Sequence, residues 1–282
     1  MTYSLVNKKY YFANIYIIIF ERIKMKKELV EVVRQDDLGD NIYSLYIRNK
    51  EISLEAHAGQ FISLFTNDFS RLLPRPISIC DIDKKSGIIR MVYRIAGGGT
   101  KEFSLLKASD KIEIIGPLGN GYSVDAVHPI ILGGGIGIPP MLELTKEFFE
   151  KGISKNDISV VLGYRNEPFL LNEFQKISTV YITSDSGNCG IKGNVIDGLN
   201  DYDISGDVIY ACGPKPMLKG VKAYSEEKNM PAYISLEEHM ACGIGACLGC
   251  VVDSKNIDDH SKVKNKRICK DGPVFLAEEV IL

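Results

Sequence analysis

The sequence has no surplus of either charge. A net charge of −2 over 282 residues leaves no basic footprint for nucleic acid. It also has no long apolar run. The most hydrophobic stretch, Tyr10–Phe20, falls short of the roughly 20 apolar residues that a membrane span needs. Basic residues precede that stretch, as in an export leader, but no small-residue cleavage site follows; the chain runs on as ERIKMKKELVEVV. Residues 1–24 therefore read as an extension outside the fold, with Met25 as the native start. Cysteine is too sparse for a disulfide scaffold, at seven residues, and the count is odd. Internal repeats and low-complexity tracts are also lacking. What remains is an ordinary soluble composition, 45% hydrophobic and 25% charged, long enough for about two domains and a smaller segment.

From Lys27 to about Tyr122 the chain alternates short apolar runs with Gly, Asn and Asp: ELVEVVRQ, NIYSLYI, QFISLF, RPISICDID, GIIRMVYRIA and KIEIIGPLGNGY. Lys101–Ala108 reads as a helical turn between the last two. Strands at this spacing predict an antiparallel barrel or sandwich. From His128 the rhythm becomes strand, glycine turn, helix, which predicts a parallel sheet of βαβ units. The expected division is extension 1–24, barrel 25–125, α/β domain 126–233 and a C-terminal segment 234–282.

Four cysteines in that last segment carry the strongest signal. Cys242, Cys247, Cys250 and Cys269 follow C-x4-C-x2-C…C, the spacing of a plant-type [2Fe–2S] site. Gly243, Gly245 and Gly249 in the loop let backbone amides face the sulfurs. A zinc site is the weaker fit, because only Cys247 and Cys250 form a paired hook.

Upstream, Arg75-Pro76-Ile77-Ser78 places an arginine fork and a hydroxyl on one barrel strand. Gly97-Gly98-Gly99-Thr100 precedes a helical turn and suits a phosphate cradle. Gly133–Pro140 (GGGIGIPP) follows a strand and opens a helix without matching a strict G-x-G-x-x-G. Gly163-Tyr164-Arg165, Thr183–Ser186 and Ala211–Met217 also end strands, where open parallel sheets bind ligands.

In this order the motifs resemble the ferredoxin–NADP reductase superfamily. With the cysteine segment added, SLEEHMACGIGACLGCVV and CKDGPVF resemble the electron-transfer subunits of class 1B dihydroorotate dehydrogenase, from about Met25 to Leu282. The resemblance implies FAD contacted by Arg75, Pro76, Ile77 and Ser78, with Arg75 at its pyrophosphate and Ser78 near the ring, and held further by Val92, Tyr93, Arg94, Gly99 and Thr100. It implies [2Fe–2S] on Cys242, Cys247, Cys250 and Cys269. The chain departs from the family pattern at Ile77, where an aromatic is common, and at His239, where an arginine is expected. The implied role is an electron relay in pyrimidine biosynthesis. A catalytic FMN-containing partner oxidises dihydroorotate, and the electrons cross [2Fe–2S] and FAD to NAD+, in a heterotetramer of two subunits of each kind.

The dinucleotide can be argued from the residues themselves. After the third strand of the sheet stands Ser184-Asp185, and a carboxylate there repels a 2′-phosphate. NAD is expected over NADP, with Gly134, Gly135, Asp185 and Gly213 as contacts, and Cys212 as a buried thiol. Nothing in the chain offers a dihydroorotate site or a base for C–H abstraction, so no catalytic residue is assigned. Rival readings are the small subunit of a transhydrogenase or sulfide dehydrogenase, a stand-alone NADH diaphorase, and a zinc-stapled interaction module. An all-cysteine ligand set ending in Cys269 disfavours the transhydrogenase, where an Asp ligand is expected. Thiolate ligands without an export signal point to the cytoplasm.

Overall fold

The computed structural model describes residues 27–68, 70–257 and 262–282. The N-terminal extension and the Met25 start lie outside the described residues. Strands β1 (Glu28–Gly39), β2 (Ile42–Arg48), β3 (Phe61–Leu64), β4 (Arg75–Asp83), β5 (Ile88–Arg94) and β6 (Lys111–Leu118) close into an antiparallel barrel in the order β1-β2-β5-β4-β3-β6. Their alternation decides what fills it: Val30, Val32, Leu45, Ile47, Ile62, Leu64, Ile79, Ile89, Met91, Ile112 and Ile114 all point inward and are buried. Each such side chain contributes about 1.5–3 kcal/mol on leaving water. Two short helices plug the barrel's loops. Helix α1 (Lys50–Glu55) is capped by Asn49, whose Oδ1 accepts from Ile52 N–H at 2.9 Å. Helix α2 (Gly98–Phe103) begins three residues earlier than the KEFSLLKA pattern predicts, because the glycines themselves enter its first turn.

The second half is a seven-stranded sheet in the order β10-β9-β8-β7-β11-β12-β15. Parallel strands β7 (Pro129–Gly134), β8 (Ser159–Tyr164) and β9 (Thr179–Ser184) run to one side, ending at the two-residue β10 (Ile191–Lys192). The chain then crosses over to β11 (Val208–Cys212) and β12 (Ala232–Ser235). Helix α3 (Ile138–Glu150), with Pro139 and Pro140 in its first turn, covers the face toward the barrel together with α4 (Leu171–Ile177). Helices α5 (Val195–Asp201) and α6 (Lys215–Glu227) cover the other face.

The C-terminal segment is woven into this sheet. After the hairpin β13 (Val251–Asp253) and β14 (Asn265–Arg267) and the short α7 (Ile268–Asp271), β15 (Val274–Leu276) pairs antiparallel with β12. The expected boundary at 233/234 thus falls inside β12, and Phe275, Cys250 and Cys269 share one core with Ile209, Ala232 and Ile234.

Buried polar groups lock barrel to sheet. Glu143 of α3 accepts from Ile82 N–H at 2.8 Å, and Lys146 Nζ reaches Asp81 Oδ1 at 2.7 Å. Arg90, almost fully buried, donates to Ser44 Oγ at 2.7 Å and to Glu173 of α4 at 2.5 Å. Burial pushes the Glu143 carboxyl up to about 8 against the pull of Lys146.

Candidate functional site

Arg75 opens β4 and Arg94 closes the antiparallel β5, so both stand at the same end of this strand pair. Arg75 has no carboxylate partner among the described residues and donates to Leu73 O. Its side chain lies across Gly99: a Cβ on Gly99 would come 2.2 Å from Arg75 Nε, so a larger residue there would displace the guanidinium. Arg94 Nη2 reaches Asp40 Oδ2 at 3.3 Å, yet its buried Nε has no partner. An unpaired cation beside an unsatisfied buried N–H is the donor set a diphosphate requires.

The neighbouring predicted residues divide by face. Val92 packs toward the nucleotide sheet, whereas Tyr93 turns into the barrel, 2% exposed, with its hydroxyl bonded to Gln35 at 3.0 Å. Thr100 Oγ1 accepts from Ala96 N–H at 2.9 Å and Gly97 N–H at 3.2 Å, so what Thr100 offers a ligand is its backbone. Arg71, close to the RPIS motif in sequence, is bound by Asp68 and Glu102 at 2.9 and 2.8 Å.

The second site lies where the sheet's strand order reverses. Gly134 ends β7 and Gly213 follows β11, and these adjacent strands carry the chain in opposite directions across the sheet. That crevice is where open α/β sheets take their ligands. A cavity of about 340 Å³ opens here, lined by Gly134, Gly135, Asp185 and Asn194 and, from the barrel, by Asp40 and Arg94. Gly213 faces an adjoining cavity of about 270 Å³, and Pro214 borders both. The diphosphate end of the barrel therefore opens into the nucleotide crevice. Asp185 is not alone at its rim. Arg165 Nε stands 3.7 Å from its carboxylate, a pair that the spacing argument did not foresee. Burial pushes the Cys212 thiol up to about 12, with the Ser235 hydroxyl pulling the other way, in keeping with a neutral buried group.

The four cysteines come together from two pieces of chain. Cys242, Cys247 and Cys250 sit on the loop before β13, and α7 brings in Cys269. Cys250 and Cys269 are buried at 3% and 2%, while Cys247 is exposed. Backbone amides aim at the sulfurs: Gly245 N–H to Cys269 Sγ at 3.1 Å, Ala246 N–H to Cys242 Sγ at 3.3 Å, Cys269 N–H to Cys250 Sγ at 3.4 Å. Burial pushes the Cys242 thiol up, but the amide of Ile244 and the side chain and amide of Cys247 outweigh it and bring it down to about 7. Cys269 goes the other way, to about 12, through burial and the neighbouring Cys250. Cys242 thus feels its neighbour Cys247, and Cys269 its neighbour Cys250. Among the described residues no group of three or more His, Cys, Asp or Glu side chains is arranged to hold a metal ion. Four cysteines at this spacing, on one loop and the short helix α7, are the donor set of a four-thiolate binuclear cluster.

Residues 237–281 match the family model described as the iron-sulfur cluster binding domain of dihydroorotate dehydrogenase B, and residues 131–223 match the oxidoreductase NAD-binding domain. The chain is 40% identical over 262 residues to the dihydroorotate dehydrogenase B (NAD(+)) electron transfer subunit of Streptococcus mutans, covering 91% of this chain and 98% of that one. It belongs to this family. The corresponding subunit of Geobacillus sp. is also 40% identical, over 92% of this chain and all of its own. Among solved structures, one of NADH-dependent reduced ferredoxin-NADP oxidoreductase aligns over 91% of both chains, at 30% identity and a TM-score of 0.79. Ferredoxin-NADP+ reductase from Plasmodium falciparum, 19% identical with a TM-score of 0.57 over 76% of this chain and 96% of its own, shares the fold. The family's fold is the expected one, a barrel followed by a parallel-sheet domain. Among the described residues no helix is long and apolar enough to cross a membrane.

Proposed function

We propose that this chain is the electron-transfer subunit of an NAD-linked dihydroorotate dehydrogenase in pyrimidine synthesis. It serves a catalytic FMN-containing partner subunit in a heterotetramer of two of each, in the cytoplasm. The observation that carries the reading is the meeting of three sites in one chain: four cysteines, a diphosphate-ready barrel end, and a crevice that opens onto that end. Family membership along nearly the whole chain supports it.

Each site fits its group through residues present here. Cys242, Cys247, Cys250 and Cys269 would hold [2Fe–2S], with the loop amides bonded to their sulfurs. Arg75 and Arg94 would neutralise the FAD diphosphate, backbone groups of Val92, Tyr93, Gly99 and Thr100 would line it, and Pro76, Ile77 and Ser78 would border the ring. Gly134, Gly135 and Gly213 would admit NAD close to the backbone, and Asp185 would accept from a ribose hydroxyl while disfavouring a 2′-phosphate. When bound, a flavin can exchange single electrons on one side and a hydride on the other. The protein's part is to bind these groups in line, keep water from the space between them, and leave Cys247 at the surface facing a partner.

The domain limits we propose are barrel 25–125, nucleotide domain 126–233 and cluster segment 234–282, the last joined to the sheet through β12 and β15. Cys269, buried among its fellow thiols where the transhydrogenase reading expects an Asp, supports the dehydrogenase assignment.

Co-purification from the native host, with mass spectrometry and light scattering of the complex, tests the reading. The expected result is a catalytic partner in equal amount and a four-chain mass, with NAD+ reduced by dihydroorotate only when both chains are present. Reduction of NAD+ by this chain alone with dihydroorotate would contradict it.

A further inference from the structure

Ser63 lies in the middle of β3, 1% exposed, and its hydroxyl has no hydrogen-bond partner among the described residues. The β3–β4 register sets Ser63 opposite Pro76 and Phe61 opposite Ser78. Opposed residues of an antiparallel pair share a face, so Ser63 stands on the outer face with Pro76 and Ser78. Its neighbours Ile62 and Leu64 point the other way, into the barrel core.

That outer face is covered by the cysteine segment. Phe61 and Leu118, with Ile115 beside them, belong to the same core as Cys250, Ile268 and Cys269. At the seam where the two meet, Asn120 donates from its side chain to Lys270 O and Asp271 O and from its backbone to Gly272 O, so its groups are paired, whereas the Ser63 hydroxyl is not. The residue opposing Ser63 is Gly243, next to Cys242: a Cβ there would lie 2.9 Å from Ser63 Oγ and 3.8 Å from Leu118 Cδ1. Gly243 also holds φ at +69°, a conformation open to glycine. The loop is thus shaped to bring its backbone against this hydroxyl.

A buried hydroxyl without an acceptor costs free energy, and native structures supply the partner. Hydrogen bonds to anionic acceptors are the strong ones. Resting on the reading of the four cysteines as [2Fe–2S] ligands, we propose that Ser63 is a tuning residue of that site. With the cluster bound, its hydroxyl would donate across the seam to a cluster sulfur at the Cys242 end of the loop. Hydrogen bonds to the sulfurs help set the reduction potential of such a cluster. A donor stabilises the more negative, reduced form, so Ser63 raises the potential and favours electron residence on the cluster side of the seam. Ser78, on the same face and itself one of the RPIS ring contacts, is left to the flavin.

The test compares Ser63→Ala with the wild-type chain, each purified whole with its iron and flavin. Iron and flavin contents are expected to match. An EPR-monitored titration should show the cluster midpoint potential of the variant moved to more negative values, and the flavin midpoint unmoved. Pulsed EPR after exchange into deuterated water should show one exchangeable proton coupling fewer in the variant. An unmoved cluster potential, or a shift confined to the flavin, overturns the proposal while leaving the cysteine reading intact. A wild-type chain that carries flavin but no iron overturns that reading first, and this proposal with it.

Discussion

The barrel and the cysteine segment both carry candidate ligand groups, but they are held in place by different means. The barrel fixes Arg75, Ser78 and Arg94 by strand register around a closed apolar core. It is further tied to the nucleotide domain by charged groups, Glu143 and Lys146 of α3 reaching Ile82 N–H and Asp81, and Arg90 reaching Glu173. The cysteine segment has a two-stranded hairpin, a four-residue helix and a loop whose amides bond to sulfur. Its regular structure is too small to define the loop, so the thiols and what they bind must do so. A scaffold set by register tolerates an empty site; a loop set by its ligands does not.

The largest expected effect follows from that contrast. Cys250→Ser or Cys269→Ser removes a buried thiol shared between the loop and the sheet core. Near-complete loss of iron is expected, with flavin retained in the barrel, as read by iron analysis and visible absorption. Loss of both cofactors together would break the contrast.

Next in size, Gly243→Ala forces a side chain into φ +69° and against Ser63. The left-handed conformation alone costs about 1–2 kcal/mol. Lower iron occupancy and faster proteolysis of the segment are expected. Arg75→Ala is the barrel counterpart. Its guanidinium has no carboxylate partner among the described residues, so thermal stability should hold while FAD affinity falls about tenfold or more, the scale of one charge-assisted hydrogen bond. Fluorescence titration of FAD into the deflavinated chain reads this.

The smallest effect concerns pH and belongs to the barrel–sheet lock alone. Glu143 faces Lys146, Asp81, Glu147 and the Ile82 amide, and burial raises its folded-state value from 4.5 to about 8. The folded protein therefore holds a proton that the unfolded chain releases. This contribution is complete below pH 4.5 and is lost as pH rises to about 8. Glu143→Gln should flatten the dependence and raise Tm above pH 8 by about 2–4 °C, on the order of 1 kcal/mol. An unchanged pH profile would remove Glu143 from the lock.

Much of this was legible in sequence because the signals are local. Alternation marked every barrel strand, glycine turns marked strand ends in the sheet, and C-x4-C-x2-C needs no context. What escaped was non-local or short. Strand β15 spans three residues, and helices α1, α4 and α5 span six or seven, too few for a period to show. Tyr93 and Thr100 sit in family motifs, yet their side chains are committed to the core and to a turn. Arg165 beside Asp185, and Ser63 beneath Gly243, pair residues that only folding brings together.

The central claim is that flavin and cluster sites adjoin within one chain, so that electrons entering from the nicotinamide side reach the cysteines without a partner. Anaerobic addition of NADH to the purified chain, followed by visible absorption and EPR, tests it most directly. The account predicts bleaching of the flavin together with the signal of a reduced [2Fe–2S] cluster. A bleached flavin beside a cluster that stays oxidised under NADH but is reduced by dithionite would contradict it.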